Sequence, residues 1–568
     1  MNHNSNKRWE VWSKITPEVA EELHEYPPVM RQLLFNRGLI DEITAYTFLT
    51  TEGPYLDPFE MTGMSVAVDR LLRALEGGEK IVVYGDYDVD GVTATALMVQ
   101  ALRAMGGFAS EYIPNRFEEG YGVNKDALKS LADDGVAVVL TVDCGIRSPE
   151  EAEYARALGL DLIISDHHEP RDTLPVACAV ICPKQAGDEY RDKNLSGVGL
   201  AFKIAEALLR TRPVAGVDVN SWLDLVAVGT VADIVPLKGE NRAMVKAGLK
   251  LLNKRQRLGL HALLGAAGVD PLKRLTARDI GFVIGPRLNA AGRMDSAVAA
   301  YKLLMAESSY EAGPLALQLD KQNRERQVLT TSMQQIAEAL AQADAAEHLL
   351  FAIDKEFNKG IVGLVAARLV ETYYRPAIVG QQEEEFTRAS CRSIPEFHIT
   401  HALDECAELL VHHGGHAMAA GFTVRNRDLP ELEMRIKEIA ARQLADLDLK
   451  PVLRADMEIM LKDLKAEILT EQERLEPSGP DNPEVQFITR GLRPMRWKPV
   501  GNENQHLKLT VAEGPLVFEA IAFRQAAWAD HMPRLVDLFY SFEKNSYMGR
   551  DTLQLNVKDI KVNGEIEA

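Results

Sequence analysis

The sequence predicts a multidomain α/β protein: two α/β domains joined by a long helix, the first built on a parallel sheet, followed by a small β-barrel. Three patterns carry this expectation. From Ile81 to Ile181, short β-branched runs alternate with helix-length runs, as in a parallel sheet covered by helices on both faces. From Leu315 to Ala343, Leu329, Met333, Ile336 and Leu340 recur at four, three, four spacing and predict one helix with an apolar seam. Beyond Leu507, alternation of period two over several short stretches, with no helices between most of them, reads as a barrel. At 568 residues and 46% hydrophobic content the chain can supply a core to each part.

In order, residues 1–60 form an N-terminal segment of short helices broken by Pro27, Pro28, Pro54 and Pro58. The first α/β domain is expected over 61–312. Its strands are Ile81–Val83, Phe108–Ile113, Val136–Val142, Leu160–Ser165 and Ala177–Ile181, with helices at 93–105 and 149–158. Ser148, Pro149 and Glu151 spell a capping box for the second helix, and Gly159 stops it. The connecting helix spans 313–346, with the polar start DKQNRERQ. The second α/β domain spans 347–446, with a strand from Leu349, a helix at Val362–Thr372 and a strand at Ala377–Val379. The barrel occupies 451–568, with strands at Leu507–Val511, Val517–Phe523, Val536–Phe542 and around Leu553, Leu555 and Val557.

In an open parallel sheet the ligand gathers at the carboxyl ends of the strands. Those ends are acidic here. Asp86, Asp88 and Asp90 follow the first strand, Asp143 follows Val142, and Asp166, His167 and His168 follow Ser165. Asp233, after an apolar helical run from Trp222 to Val231, can reach the same rim. Any one of these acids could be an ordinary helix cap. Together, carboxylates and imidazole from four segments are the ligand set of a two-metal site for a hard cation such as Mn²⁺ or Mg²⁺.

The net charge of −19 argues against nonspecific coating of duplex DNA, so any nucleic-acid contact must be local. Five cysteines without a Cys-x-x-Cys pair disfavour both a disulfide framework and a structural zinc. The N-terminus lacks an apolar signal region and no run approaches a membrane span, so a cytoplasmic location without membrane contact is expected.

The motifs DYDVDG, TVDCG, SDHHEP and GTVADIVPL resemble the four motifs of the DHH phosphoesterase superfamily, named for the triad at Asp166, His167 and His168. Within it the chain resembles the bacterial single-strand-specific 5′ to 3′ DNA exonucleases. The resemblance implies two divalent ions held by Asp88, Asp90, Asp143, His167 and Asp233, with Asp143 bridging and His168 facing the scissile phosphate beside Asp166. Pyrophosphatases of the superfamily carry a metal-binding His four residues before the first of these aspartates. This chain has Tyr84 there and an additional Asp86, either of which could complete the first site.

Further candidates lie along the chain. Arg287 and Arg293 flank the small-residue stretch in GPRLNAAGRMDSA, either as phosphate contacts or as caps of helix C-termini. The resemblance favours Arg287, and Arg116 in IPNRFEEGYG has the same standing. In HHGGHAMAAGF, Gly414 and Gly415 precede His416, either to let a phosphate approach or to make a simple turn. With Ser390 and Arg392 of SCRS, this segment resembles the DHHA1 domain, whose Gly-Gly-His motif holds the substrate's terminal nucleotide. Around Trp497, Arg490, Arg493, Arg496 and Lys498 form either a stacking platform for bases or a solvated edge strand. The resemblance implies an OB-fold there.

The expected activity is a two-metal, single-strand-specific exonuclease that releases 5′-mononucleotides in DNA repair and recombination. Single-stranded DNA is the expected partner, with a single-strand-binding protein or a helicase beside it. The alternatives are an oligoribonuclease or pyrophosphatase of the same superfamily, and a noncatalytic replication scaffold.

Overall fold

The computed structural model describes residues 7–53, 55–116, 119–120, 122–294, 296–343, 348–547 and 550–564. Pro54, Asp295 and the end of the connecting segment lie outside the described residues. The chain forms two compact units, Tyr55–Asp233 with Ala247–Leu449, and Met1–Pro54 with Ile234–Lys246 and Lys450–Ala568.

The first unit contains both α/β sheets. One has five parallel strands in the order Phe108–Tyr112, Lys80–Gly85, Val138–Val142, Asp161–Ser165, Ala179–Ile181. Val82, Tyr84, Val139, Leu162 and Ile164 bury one face under the helices Lys125–Asp133 and Pro149–Ala157. The other face meets Val89–Ala104 and Gly197–Thr211. The chain leaves Lys80–Gly85 toward one edge and returns to pair on its other side, so the strand order reverses there. A crevice opens at the carboxyl end of a strand at such a reversal, and that is where Asp86, Asp88 and Asp90 lie.

The connecting helix runs Ser309–Ala343, starting earlier than the periodicity indicated. Its buried stripe also differs. Met333, Ala337 and Ala341 are buried, whereas Ile336 and Leu340 are exposed. The four, three, four seam assumes large apolar residues inward, but the helix packs against Phe357, Val362 and Val365 through Met333 and Ala337 instead.

The second sheet orders its strands Leu410–His416, Ala419–Arg425, Phe386–Arg392, Ala377–Gln382, Leu350–Asp354 and is mixed, with only the last pair parallel. Gly414 and Gly415 therefore sit in a strand of an antiparallel hairpin, not in a turn. Ser148 makes no side-chain cap bond at the start of Pro149–Ala157, so the expected capping box is not formed.

In the other unit, Phe487–Val500, His506–Glu513, Leu516–Ala522, Arg550–Val562 and Val536–Tyr547 pair in that order, and Phe487 pairs with Tyr540 to close a five-stranded barrel. The N-terminal segment packs on it: Leu23, Met30, Leu33 and Leu34 share a core with Phe487, Leu507 and Leu538. That segment also contains a strand, Arg8–Val11, which pairs in parallel with Val452–Ala455 and which the sequence pattern missed. Arg242 inserts here, stacking on Phe48 at 3.8 Å and donating to the Leu475 carbonyl at 2.7 Å.

Candidate active site

At the reversal point Asp88 caps the helix Val89–Ala104, its Oδ1 accepting from the Gly91 N–H at 3.1 Å. Asp90, 1% exposed, accepts from the Gly197 and Val198 N–H groups at 2.6 and 2.9 Å, so the N-terminus of Gly197–Thr211 is aimed at its carboxylate. This close approach requires glycine. A Cβ on Gly197 would lie 2.6 Å from Asp143 Cβ, and one on Gly229 would lie 2.8 Å from Asp90 Oδ1. Asp143 itself sits at φ 65°, a left-handed conformation that tips its carboxyl over the strand ends.

The donors meet in three groups: Asp86, Asp88 and Asp143; Asp90, His167 and Asp233; and Asp143, His167 and His168. In each group the ligand atoms lie within 4.8 Å of one another. His167 Nε2 is 3.1 Å from Asp143 Oδ1, 3.5 Å from Asp233 Oδ2 and 3.9 Å from Asp90 Oδ2. Burial and the charges of Asp88 and its neighbours push Asp90 up to about 7, while burial with Asp90 and Asp88 pushes Asp233 up to about 9. Burial and the facing aspartates also hold Asp86 and Asp143 well above the usual carboxylate range. Burial and neighbouring His168 push His167 down to about 3, so its ring is neutral and can offer a lone pair.

Asp166 differs from these. Burial disfavours its charge, but hydrogen bonds from His168 and Ile146 outweigh burial and its pKa is lowered. One oxygen meets His168 Nδ1 at 2.8 Å and the other accepts from the Ile146 N–H at 2.9 Å. Asp166 thus fixes the His168 ring rather than joining a donor group. Tyr84 is buried on the far face, its hydroxyl donating to the Gly122 carbonyl, so Asp86 and not Tyr84 stands in the acidic cluster.

The second sheet presents its candidates by register. Arg392, Ala419 and His416 form one rung, and Ser390, Gly421 and Gly414 form another two residues along, on the same face. The small residues of the middle strand leave that face open. A Cβ on Gly415 would lie 2.3 Å from the Ala419 carbonyl oxygen, whereas Gly414 has open space. His416 is within electrostatic reach of His168 and Arg147, and Arg392 of Arg116. Arg116, Lys359, Val362, Arg388, Ala389 and Ser390 line a cavity of about 170 Å³.

The chain carries the DHH family, N-terminal domain at residues 80–230, the DHHA1 domain at 346–445 and the RecJ OB domain at 455–559. It is 38% identical over 567 residues to the single-stranded-DNA-specific exonuclease RecJ of Bacillus subtilis, covering 98% of this chain and 71% of that one. Against the Escherichia coli protein of the same name it is 35% identical over 571 residues, covering 96% and 97%. The chain belongs to the RecJ family. Its fold matches RecJ of Thermus thermophilus in complex with Mn²⁺ at a TM-score of 0.85 and 29% identity, covering all of this chain and 81% of that one. The Mg²⁺ complex of the same protein matches at 0.79, with 28% identity and coverage of 99% and 79%.

The cluster fits the divalent ions of those RecJ complexes. Asp86 Oδ1, Asp143 Oδ1, His167 Nε2 and Asp233 Oδ2 are buried without a hydrogen-bond partner, a costly arrangement that cations between them would satisfy. Asp143 belongs to two of the three donor groups, with Asp86 and Asp88 in one and with His167 and His168 in the other, and His167 links the latter to Asp90 and Asp233. Other expected contacts fall elsewhere. Arg287 bonds Asp320 at 3.0 Å and the Val283 carbonyl, whereas Arg293 is the member of the pair that stands near Arg116 and Arg392. Arg490 is tied to Glu458 and Asp537, and Trp497, 41% exposed, donates to the Ala529 carbonyl within the barrel unit. Sequence reasoning missed Lys184, which follows the last strand of the first sheet and pairs with Glu169 at 3.2 Å. Its position at a strand's carboxyl end was the available signal.

Three outcomes follow from this geometry. Asp143→Asn, chosen because Asn tolerates positive φ, should lower the hydrolysis rate on single strands by roughly a thousandfold or more while leaving the metal-free melting temperature unchanged or higher. A melting temperature several degrees lower would make the carboxylate structural. Separately, burial and mutual repulsion raise the Asp90 and Asp233 carboxyls toward and above neutral pH in the metal-free protein, so Mn²⁺ binding should release protons. Calorimetry in two buffers of different ionisation enthalpy reads this directly, and no proton release would contradict the raised values. The sign extends to stability. Carboxyls with raised pKa lose their stabilising contribution as pH climbs from about 4 through about 7 and about 9, so the metal-free protein should melt lower at pH 9 than at pH 6.

Proposed function

We propose that the protein is a metal-dependent exonuclease that digests single-stranded DNA from the 5′ end and releases 5′-mononucleotides. The observation that supports this best is the meeting of two unlike surfaces in one unit. Buried acids with two imidazoles stand on one sheet edge, and an open face bearing Ser390, Arg392 and His416 stands on the other sheet. When bound, divalent cations supply an activated water and neutralise charge that develops on the phosphate.

The chain's own residues do the rest. Asp86, Asp88, Asp90, Asp143, His167 and Asp233 hold the ions, and the helix N-terminus at Gly197 holds Asp90 in place. Asp166 orients His168 and favours its charged form, so His168 can stabilise the phosphoryl oxygens. Arg116, Ser390, Arg392 and His416 orient the terminal nucleotide, with Gly414 keeping the face open and Gly415 allowing the close approach of the neighbouring strand. The exposed Arg493, Arg496, Lys498 and Trp497 of the barrel bind single-stranded DNA by charge and stacking. Five free cysteines suit a cytoplasmic location, and a single-strand-binding protein or a helicase would supply the single strand in repair and recombination.

Digestion with Mn²⁺ of matched single-stranded and duplex DNA, labelled at either end, tests the reading. Labelled mononucleotide should appear first from the 5′-labelled single strand. Early release from the 3′ label, or equal rates on blunt duplex, would overturn it.

A further inference from the structure

Along Phe487–Val500 of the barrel, successive side chains leave opposite faces of the sheet, and the register fixes which face each one takes. Trp497 lies opposite Leu509 and Pro499 opposite Leu507, and both leucines are buried in the barrel core. Arg496 lies opposite Thr510 and Lys498 opposite Lys508, on the face turned away from that core. The same face continues across the next strand, where Thr510 meets Glu519 and Lys508 meets Ile521. Glu519 is taken up there by Lys508 at 3.3 Å and by the Thr510 hydroxyl at 3.0 Å. Trp497 thus stands on the other side of its strand from Arg496 and Lys498, its indole N–H bonded to the Ala529 carbonyl at 3.1 Å. The stretch of a bound strand that follows these two cations needs a different aromatic.

The outward face provides one. Phe523, 52% exposed, directly follows Ala522, whose partner is Leu507, and so stands beside His506 at the end of the ladder. The two rings meet edge to face, with 5.2 Å between centroids and 74° between planes. His506 is itself fixed. Its Nδ1 accepts from the Arg524 backbone N–H at 3.1 Å, and a Cβ on Gly501, at φ 88°, would lie 2.8 Å from its Cδ2. His506 shares its face with Lys508 two residues along, and Val500 opposite it shares its face with Lys498. Phe523 is therefore about two residues' rise, ~7 Å, from the rung of Lys498 and Lys508.

We propose that Phe523, supported by His506, is a stacking site for an unpaired base of a DNA single strand whose phosphates run along Arg496 and Lys498. Such a platform accepts any base, because every base presents a π-face, and loss of the aromatic ring costs about tenfold in affinity. A ring already held by its neighbour gives up little freedom when a base lands on it. Duplex DNA offers no free base face to Phe523, since its bases are stacked on one another. The cations beside the ring suit a polyanion rather than an apolar protein surface. The inference rests on the barrel binding single-stranded DNA.

The test measures binding to the Mn²⁺-loaded enzyme by fluorescence anisotropy, with 3′-labelled probes whose 5′-terminal bonds are nuclease-resistant phosphorothioates. One probe is an oligothymidylate of about 30 nucleotides, longer than the ~4–16 that one OB fold covers. The other has the same length but lacks its bases beyond the first few nucleotides. Phe523→Ala should weaken binding of the oligothymidylate about tenfold and leave the abasic strand within twofold of the parent. Phe523→Trp should keep the parent affinity, whereas Phe523→Leu, apolar but without a π-face, should behave as Phe523→Ala does. Arg496→Ala with Lys498→Ala should weaken both probes. An equal loss on both probes with Phe523→Ala, or a leucine variant that binds like the parent, would overturn the stacking site. If the double variant weakens both probes while Phe523→Ala weakens neither, the barrel binds the strand and only the stacking site fails. If neither variant changes either affinity, the barrel reading fails and the stacking site falls with it.

Discussion

Repulsion among buried carboxylates is the constraint on which the rest of this structure depends. Asp86, Asp90 and Asp143 are each no more than 3% exposed, and Asp233 joins them at the same strand ends. Without cations such a cluster favours protonation or expansion, and the fold counters both only in part. The N-terminus of Gly197–Thr211 stabilises one carboxylate, Asp90. His167 is kept neutral among the acids, so it adds a lone pair and no charge. Asp86 Oδ1, Asp143 Oδ1, His167 Nε2 and Asp233 Oδ2 are left buried without a hydrogen-bond partner. The close glycine contacts at Gly197 and Gly229 follow from the same need, because a wider cluster would no longer share Asp143 between donor groups.

The opposite surface obeys the reverse rule. There polar and cationic side chains are brought together by register rather than by local sequence. Arg392 and His416 are 24 positions apart in the chain, yet the antiparallel pairing of three strands puts them in one rung across Ala419. Ser390 and Gly414 meet across Gly421 in the same way. Under the proposed function, a strand lying against both surfaces would have its terminal phosphate held by the cationic face while the adjacent phosphodiester meets the metal-binding acids.

Much of this was legible in the sequence where the signal was local. Strand, acid, helix is a short-range pattern, so Asp86, Asp88, Asp90, Asp143 and the triad at Asp166 were readable, and alternation was enough to reveal most of the barrel. What depended on tertiary packing was not. The connecting helix buries Ala337 and Ala341 and exposes Ile336 and Leu340, because a close neighbour rewards small residues over apolar ones. Gly414 and Gly415 looked like a turn because hairpin strands that carry glycine lack the usual strand signature. The resemblance favoured Arg287 over Arg293, and the ion pair of Arg287 with Asp320, on the connecting helix, was not readable from the local sequence. The strand Arg8–Val11 was hidden because its partner lies more than 400 residues away.

The most direct test of the central claim is anomalous diffraction from crystals of the protein soaked in Mn²⁺. Two peaks are expected on either side of Asp143, one against Asp86 and Asp88 and the other against Asp90, His167 and Asp233. A single peak, or peaks that leave Asp143 without a contact, would contradict the view that charge compensation by two ions organises this site.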